Sequence, residues 1–357
     1  MLAAKFHGIE DIRVQEVPKP QVGLGEVLVR TRVASICTSD IEAYCLGHKK
    51  LADYCPDTRA TRTPGHEFAG DVVEIGPDVK GISEGTRVAI APNYGCGKCR
   101  FCRKGIYPLC PERRTIGLDV DGGFAEYVKI PKEAVDQGVV CAFSENLPYE
   151  EAALNEPLAC AYNGLMRCNI QPGEVVLVAG GGPVGMMHVV LAKLRGAKKV
   201  IVAEQSGDRQ ETARKFGADA VVNPMDKDYV DAVRKLTDDR GADVIIIACG
   251  ATKAQEMAPY LAATQGRINF FGKVPVDKQI IGLNSNLIYS KELSIYGAYG
   301  SRPAHFAITL SLLDSRKIDL SGLISRRFSA KEIPEAYKSA LANTKASTGM
   351  KTIICFT

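Results

Sequence analysis

The sequence predicts an α/β protein in two parts, a β-rich first domain followed by a doubly wound parallel sheet. Three observations carry that prediction. Short strand patterns punctuated by Gly and Pro fill the first 156 residues. After Glu156-Pro157, strands alternate with helical runs of about ten residues, the rhythm of parallel β-α-β units. A glycine-rich turn, Gly180-Gly181-Gly182-Pro183-Val184-Gly185, joins the first strand of that second pattern to its first helix.

Taken in order, Val27 to Val33 alternates and Phe68 to Ile75 gives a second strand closed by Gly76-Pro77-Asp78. Arg87 to Ala91 and Phe124 to Ile130 add short strands, a pattern suited to a small barrel or sandwich. Glu174 to Ala179 is, after its first residue, apolar without alternation, as a strand buried on both faces requires. The helix Val184 to Arg195 follows, then strands at Lys199–Ala203, Ala220–Asn223, Asp243–Ala248 and Gly266–Phe271. Helices are expected between them at Asp208–Phe216, Tyr229–Thr237 and Ala254–Leu261. After residue 297 the order becomes helix (Ile333 to Leu341) and then strand (Met350 to Phe356), read as a tail returning to the first domain. The expected domains are thus 1–156, 157–297 and a returning segment 298–357.

Composition narrows the function. A chain of 357 residues with 46% hydrophobic and 24% charged residues is an ordinary globular protein. Its formal charge of +4 is too small to argue for nucleic acid. The start, Met1-Leu2-Ala3-Ala4-Lys5-Phe6-His7-Gly8, reaches a charge and a glycine too soon for a signal peptide. No apolar run approaches the roughly 20 residues of a membrane helix, so no membrane partner is expected. Twelve cysteines in a long chain without an export signal point to metal binding and reduced thiols, and a cytoplasmic location is expected.

Four of those cysteines are concentrated. Cys96, Cys99, Cys102 and Cys110 stand at gaps of two, two and seven residues, with Gly95, Gly97 and Gly105 loosening the backbone. Such a lobe, about residues 93–112, can wrap one tetrahedral ion. The nearby Lys98, Arg100, Arg103 and Lys104 suit the net negative charge of a tetrathiolate site. Cys110-Pro111 also faintly resembles an iron–sulfur run, a rival reading that colour would reveal. A zinc-ribbon nucleic-acid binder is the other rival, and it fails on charge.

The glycine turn has the spacing Gly180-x-Gly182-x-x-Gly185, weak alone but strengthened by its place between strand and helix. Its glycines allow a tight turn and close approach of a pyrophosphate, with Pro183 and Val184 opening the helix. Glu204 ends the next strand 19 positions beyond Gly185, where a carboxylate can accept from a ribose diol and repel a 2′-phosphate. NAD is therefore expected over NADP, although Arg209 could pair with a 2′-phosphate or stack on adenine. Cys249-Gly250 and Phe271-Gly272, at the ends of later strands, should lie along the nicotinamide half.

A second metal centre is expected from Cys37, His66, Glu67 and Glu156, which come from separate loops. A thiolate, an imidazole and a carboxylate make the kind of mixed site that leaves a coordination position open. An open position suits Lewis-acid chemistry on a substrate hydroxyl. Ser39, two residues after Cys37, is placed to carry the released proton toward solvent. Taken singly, His66 would be read as a core histidine and Cys37 as a small buried hydrophobe. Their conjunction with the dinucleotide turn favours the metal.

These motifs resemble the zinc-dependent medium-chain alcohol dehydrogenases, and among them the polyol (sorbitol-like) dehydrogenase branch. The signature G-H-E-x-x-G with a later small residue is met by Gly65, His66, Glu67, Gly70 and Gly76, and the likeness runs from Gly25 to Leu293. The resemblance implies a GroES-like catalytic domain, a Rossmann coenzyme domain and an active site in the cleft between them. It implies two Zn2+ per chain: a catalytic one on Cys37 and His66, and a structural one on Cys96, Cys99, Cys102 and Cys110. Glu67 and Glu156 compete for the third catalytic ligand. Glu156 sits in E-P-L-A, where alcohol dehydrogenases of the family often have a second cysteine. The implied reaction is a reversible NAD-linked oxidation of a polyol, cyclitol or sugar-derived alcohol by a homodimer or homotetramer. A threonine or glucose dehydrogenase is the nearest alternative. A non-catalytic relative would have lost Cys37 or His66, and both also speak against a zinc-free quinone reductase.

Two departures stand out. Thr38 replaces the usual glycine of Cys-Gly-Ser-Asp, and Glu42 stands where many relatives keep a relay histidine. The stretch from Tyr44 to Arg62 carries His48, Lys49, Lys50, Arg59 and Arg62, with Cys45 and Cys55. Those cations could hold an anionic substrate such as a sugar phosphate, or simply be solvated.

Overall fold

The structure is a computed structural model and describes residues 1–46 and 62–357. The chain divides into two compact units. One comprises Met1–Ala159, Gly300–Ala346 and Met350–Thr357, and the other Cys160–Tyr299 and Ser347–Gly349.

The first unit is organised by one mixed sheet. Its strand order is Ile324–Ser329, Lys351–Cys355, Val27–Ser35, Glu67–Ile75, Arg87–Ile90 and Val140–Ala142, with Tyr127–Ile130 also paired to Val27–Ser35. Val27–Ser35 is buried along most of its length because it has neighbours on both edges. The ladder around it is antiparallel, while Ile324–Ser329 runs parallel to Lys351–Cys355. The C-terminal segment therefore supplies the strand next to the one that leads into Cys37.

Several elements differ from the sequence pattern, each for a local reason. The antiparallel hairpin Leu2–Gly8 with Asp11–Glu16 is not legible as alternation, because Ala3, Ala4, Lys5 and Phe6 are buried in succession. The strand expected from Phe124 begins only at Tyr127. Phe124 instead donates its N–H to Pro64 O at 3.0 Å and accepts from Ala4 N at 2.8 Å. Glu156-Pro157 does not interrupt the secondary structure, since the helix Asn155–Cys168 runs through it, and the division between the two units falls inside that helix, after Ala159. Pro157 is tolerated there because the first turn of a helix has no intrahelical partner for its N–H groups. The helix expected to end at Leu341 continues from Ile333 to Ala346.

The second unit is a parallel sheet of six described strands. Their order is Ala220–Val222, Lys199–Ala203, Val175–Ala179, Ala242–Ile247, Ala262–Phe270 and Ser294–Gly297. The helices Pro183–Leu194, Gly207–Lys215, Tyr229–Leu236 and Thr252–Leu261 make connections between them. All five residues of Val175–Ala179 are buried, which explains why that segment reads as unbroken hydrophobicity. Leu177, Ile201, Ile245 and Ile268 meet in one apolar cluster. Each such side chain contributes about 1.5–3 kcal/mol on burial. The strand order reverses beside Val175–Ala179, and in such sheets ligands bind past the carboxyl ends of the strands at that reversal. Among the described residues no helix is long and apolar enough to cross a membrane.

Candidate metal and cofactor sites

The cysteine lobe closes on itself. Cys96, Cys99, Cys102 and Cys110 each place a sulfur within 4.8 Å of the others. Short 3-10 turns at Cys102–Lys104 and Tyr107–Leu109 bend the chain back, with Gly105 in the left-handed region at φ 65°. Backbone N–H groups point at sulfur: Cys96 N stands 3.4 Å from Cys110 Sγ, and Cys102 N stands 3.4 Å from Cys99 Sγ. Cys99 and Cys102 Sγ are 3.5 Å apart. Sulfurs about 2.3 Å from a common tetrahedral ion would be roughly 3.8 Å apart, so the spacing fits a metal. The chemistry agrees. The Cys102 N–H draws the Cys99 thiol down to about 7, whereas burial pushes Cys102 up to about 12. Four thiolates so close need a cation among them.

The second cluster arises from strand register. Ser35, at the end of its strand, is paired with Glu67 on one side and Ile353 on the other. Two residues further on, Cys37 therefore emerges where His66 and Glu67 enter the sheet. Cys37 Sγ, a His66 ring nitrogen and a Glu67 carboxylate oxygen lie within 4.8 Å of one another. His66 and Glu67 are buried and Cys37 is half-buried. Glu67 Oε1 is buried and has no hydrogen-bond partner among the described residues. A desolvated carboxylate oxygen beside a thiol and an imidazole fits a cation. Glu156 is buried as well, and its charge reaches His66.

Two residues that sequence reasoning missed support this cluster. Asp40 is buried, accepts from Cys37 N at 2.9 Å through Oδ2, and places Oδ1 3.7 Å from His66 Nδ1. Burial raises its pKa. Burial opposes the charged form of His66, but Asp40, Cys37 and Glu156 together raise its pKa well above the ordinary value. Lys351 is also buried, donating to Glu67 Oε2 at 2.5 Å and to Ile36 O at 2.9 Å. Burial works against its charge, yet the adjacent Glu67 raises its pKa. Asp40 could have been found from its place three residues after Cys37. No local signal marks Lys351, which is 284 residues from Glu67.

Ser39 is half-buried in the first turn of the helix Thr38–Leu46, whose fifth residue, Glu42, is exposed. Of the cationic stretch, Tyr44 is buried and Cys45 and Arg62 are half-buried. His48, Lys49, Lys50, Cys55 and Arg59 lie outside the described residues.

In the second unit the expected cofactor residues gather at the carboxyl edge of the sheet. Gly180 follows Val175–Ala179 directly, with φ 111°, and donates to Ala203 O at 2.9 Å. A Cβ on Gly185 would stand 2.0 Å from Gly180 O, so helix and strand demand glycine there. Gly182 is different: a Cβ there would meet nothing closer than Arg209 Nη1 at 3.9 Å. That glycine leaves open space at the start of the helix Pro183–Leu194, which has no side-chain cap. Uncapped N–H groups beside a guanidinium suit an anionic pyrophosphate. Glu204 is buried and turned onto the same turn, accepting from Gly181 N at 2.7 Å, Gln205 N at 2.8 Å and Ser206 N at 2.9 Å. Arg209 is half-buried, and burial lowers its pKa. Cys249-Gly250 and Phe271-Gly272 follow neighbouring strands, with Gly272 N donating to Ile247 O at 2.6 Å. The Phe271 ring stands edge-on to buried His188, 4.8 Å between centroids.

Comparison with known proteins agrees with this fold. Residues 23–137 match the alcohol dehydrogenase GroES-like domain, and residues 183–315 match the zinc-binding dehydrogenase family. The chain is 38% identical over 323 residues to L-threonine 3-dehydrogenase of Pyrococcus horikoshii, covering 90% of this chain and 88% of that one. It is 33% identical over 334 residues to sorbitol dehydrogenase of Halalkalibacterium halodurans, covering 93% of each. A crystal structure of a zinc-binding dehydrogenase from Sinorhizobium meliloti 1021 bound to NADP superposes with a TM-score of 0.88 at 30% identity, covering 99% of this chain and 98% of that one. Fold and sites together define an oxidoreductase that depends on zinc and a nicotinamide dinucleotide. The chain belongs to the zinc-dependent medium-chain alcohol dehydrogenase family.

Proposed function

We propose that this protein catalyses the reversible NAD-linked oxidation of a secondary alcohol in a polyol, cyclitol or sugar derivative to the ketone. The observation that carries the reading is the Cys37–His66–Glu67 cluster, a mixed thiol, imidazole and carboxylate set at the strand ends of the first unit. Cys37 and His66 would hold the catalytic zinc, and Cys96, Cys99, Cys102 and Cys110 the structural one. Zinc held by the mixed set supplies Lewis acidity that makes an alcohol hydroxyl easier to deprotonate. Lys351 occupies Glu67 Oε2 and leaves Oε1 available, which favours Glu67 over Glu156 as the third ligand. Asp40 faces the Nδ1 side of His66, turning the other ring nitrogen toward the cluster. Ser39 receives the alcohol proton and passes it outward.

In the second unit, Gly180, Gly182, Pro183, Val184 and Gly185 would cradle the pyrophosphate, with Arg209 beside it. Cys249, Gly250, Phe271 and Gly272 would line the nicotinamide half. Glu204 supports NAD over NADP, because its carboxylate would repel a 2′-phosphate and accept from a ribose diol. Glu204→Gln is expected to lower the ratio of kcat/KM for NAD to that for NADP at least about tenfold, since a charge-assisted hydrogen bond is worth about 1.5–3 kcal/mol. A ratio that stayed at its wild-type value would remove Glu204 from cofactor selection.

A second reading is favoured by one observation, the 38% identity to an L-threonine 3-dehydrogenase. Initial rates on a panel of polyols, cyclitols, their phosphates and L-threonine, each with NAD and with NADP, separate the two by absorbance of the reduced cofactor. Turnover of polyols or cyclitols with NAD is the expected result; turnover of L-threonine alone would replace it with the second reading. Equal kinetics on a polyol and its phosphate would end the idea that cations between Tyr44 and Arg62 select an anion. A cytoplasmic homodimer or homotetramer completes the reading, supported by the family resemblance and the reduced-thiol chemistry.

A further inference from the structure

The C-terminal segment contributes a second side chain to the surroundings of the Cys37 cluster. Tyr337, on the helix Ile333–Ala346, is completely buried, and its Oη has no hydrogen-bond partner among the described residues. Its ring is clamped on three sides: Tyr44 at 5.2 Å, Phe6 at 5.8 Å and Phe124 at 5.9 Å between centroids. Two of those neighbours lead straight to the cluster. Tyr44 is one helical turn after Asp40, and both are buried on the same face of Thr38–Leu46. Phe124 packs under Gly65, where an added Cβ would stand 2.9 Å from its ring, and Gly65 precedes His66. Asp40 Oδ1 and His66 Nδ1 are likewise buried without partners, and at 3.7 Å they are too far apart to hydrogen-bond each other.

A buried hydroxyl and a buried carboxylate oxygen left unpaired cost about 1–3 kcal/mol each, so a water bridging the two would satisfy both at a gain. We propose that Tyr337 is a positioning residue of the Cys37–His66 cluster, its hydroxyl donating through one bridging water to Asp40 Oδ1 and so steadying the carboxylate beside His66. Burial raises the pKa of the Tyr337 hydroxyl, and the charge of Asp40 adds to the rise, which agrees with this placement. An aromatic ring alone would fill the space; the hydroxyl is needed only for a polar partner.

This inference rests on reading Cys37, His66 and Glu67 as a metal site. The test is zinc and cobalt affinity of the full chain by chelator competition, with the cobalt absorption spectrum and the melting temperature, for wild type, Tyr337→Phe, Asp40→Asn and the double variant. Tyr337→Phe keeps the ring packing and is expected to weaken the Cys37–His66 site about tenfold and alter its cobalt spectrum, with the cysteine lobe fully loaded and the melting temperature unchanged. In the Asp40→Asn background the same substitution should add nothing, because the hydroxyl acts through that carboxylate. Wild-type affinity and spectrum in Tyr337→Phe, or losses that simply add in the double variant, would overturn the role of Tyr337 alone. Loss of metal from the lobe as well would mark general loosening and also overturn it. A wild-type chain that binds one metal instead of two would overturn both the inference and the site it rests on.

Discussion

Cys37→Ser is expected to cut turnover about a thousandfold and to lower the bound metal from two ions per chain to one. A serine hydroxyl stays protonated where a thiol can be drawn into a metal's coordination, so the mixed set would lose its strongest donor. The Lewis-acid contribution to such a reaction is several kcal/mol, and every 1.36 kcal/mol is a factor of ten in rate. The effect should be local. Cys37 is half-buried at the end of a strand and start of a helix, so the exchange creates no large cavity. Cofactor affinity should stay within about twofold, because the residues read as cofactor-binding are all in the second unit. Metal content by atomic emission and NADH affinity by fluorescence titration check both parts. Turnover near the wild-type level with one metal per chain would mean that the chemistry lies elsewhere.

Cys99→Ser should have the opposite profile. Structural zinc sites contribute folding free energy outright, of the order of 10–16 kcal/mol in isolated fingers at neutral pH. Here the lobe is a small part of a larger unit, so the loss should be a few kcal/mol, and a fall of about 10 °C in melting temperature is expected. The lobe should lose its metal, because the sulfurs within 4.8 Å of one another would no longer number four. The kcat of the protein that remains folded should be unchanged at moderate temperature. Unchanged melting temperature and metal content would show that the cysteines are not a structural site.

How far these sites could be read in advance varied with the chemistry. The lobe was legible because all four thiols fall within fifteen residues, where spacing alone constrains the fold. The glycine turn was legible because strand, turn and helix are consecutive, and the crowding at Gly185 shows why the motif needs that residue. The Cys37 cluster was legible only by conjunction and resemblance, since Cys37 stands 29 residues before His66. The hairpin Leu2–Gly8 with Asp11–Glu16 escaped notice because buried residues succeed one another along it without a period of two. Glu156-Pro157 lies inside the helix Asn155–Cys168, because proline ends helices in their interior but not in their first turn.

The chain by itself determined the two-part α/β plan, the donor types of both candidate metal clusters and the glycine turn proposed to receive a dinucleotide. Each of these depends on residues near one another or on a periodicity that short stretches reveal. Only the tertiary structure decided what surrounds the Cys37 cluster. Lys351 meets Glu67 because Val27–Ser35 pairs with Glu67–Ile75 on one edge and with Lys351–Cys355 on the other. Tyr337 packs on Tyr44, one helical turn after Asp40, because a helix from the same C-terminal segment packs there. Register between strands hundreds of residues apart is set by the packing of the whole unit, and no local pattern of side chains encodes it.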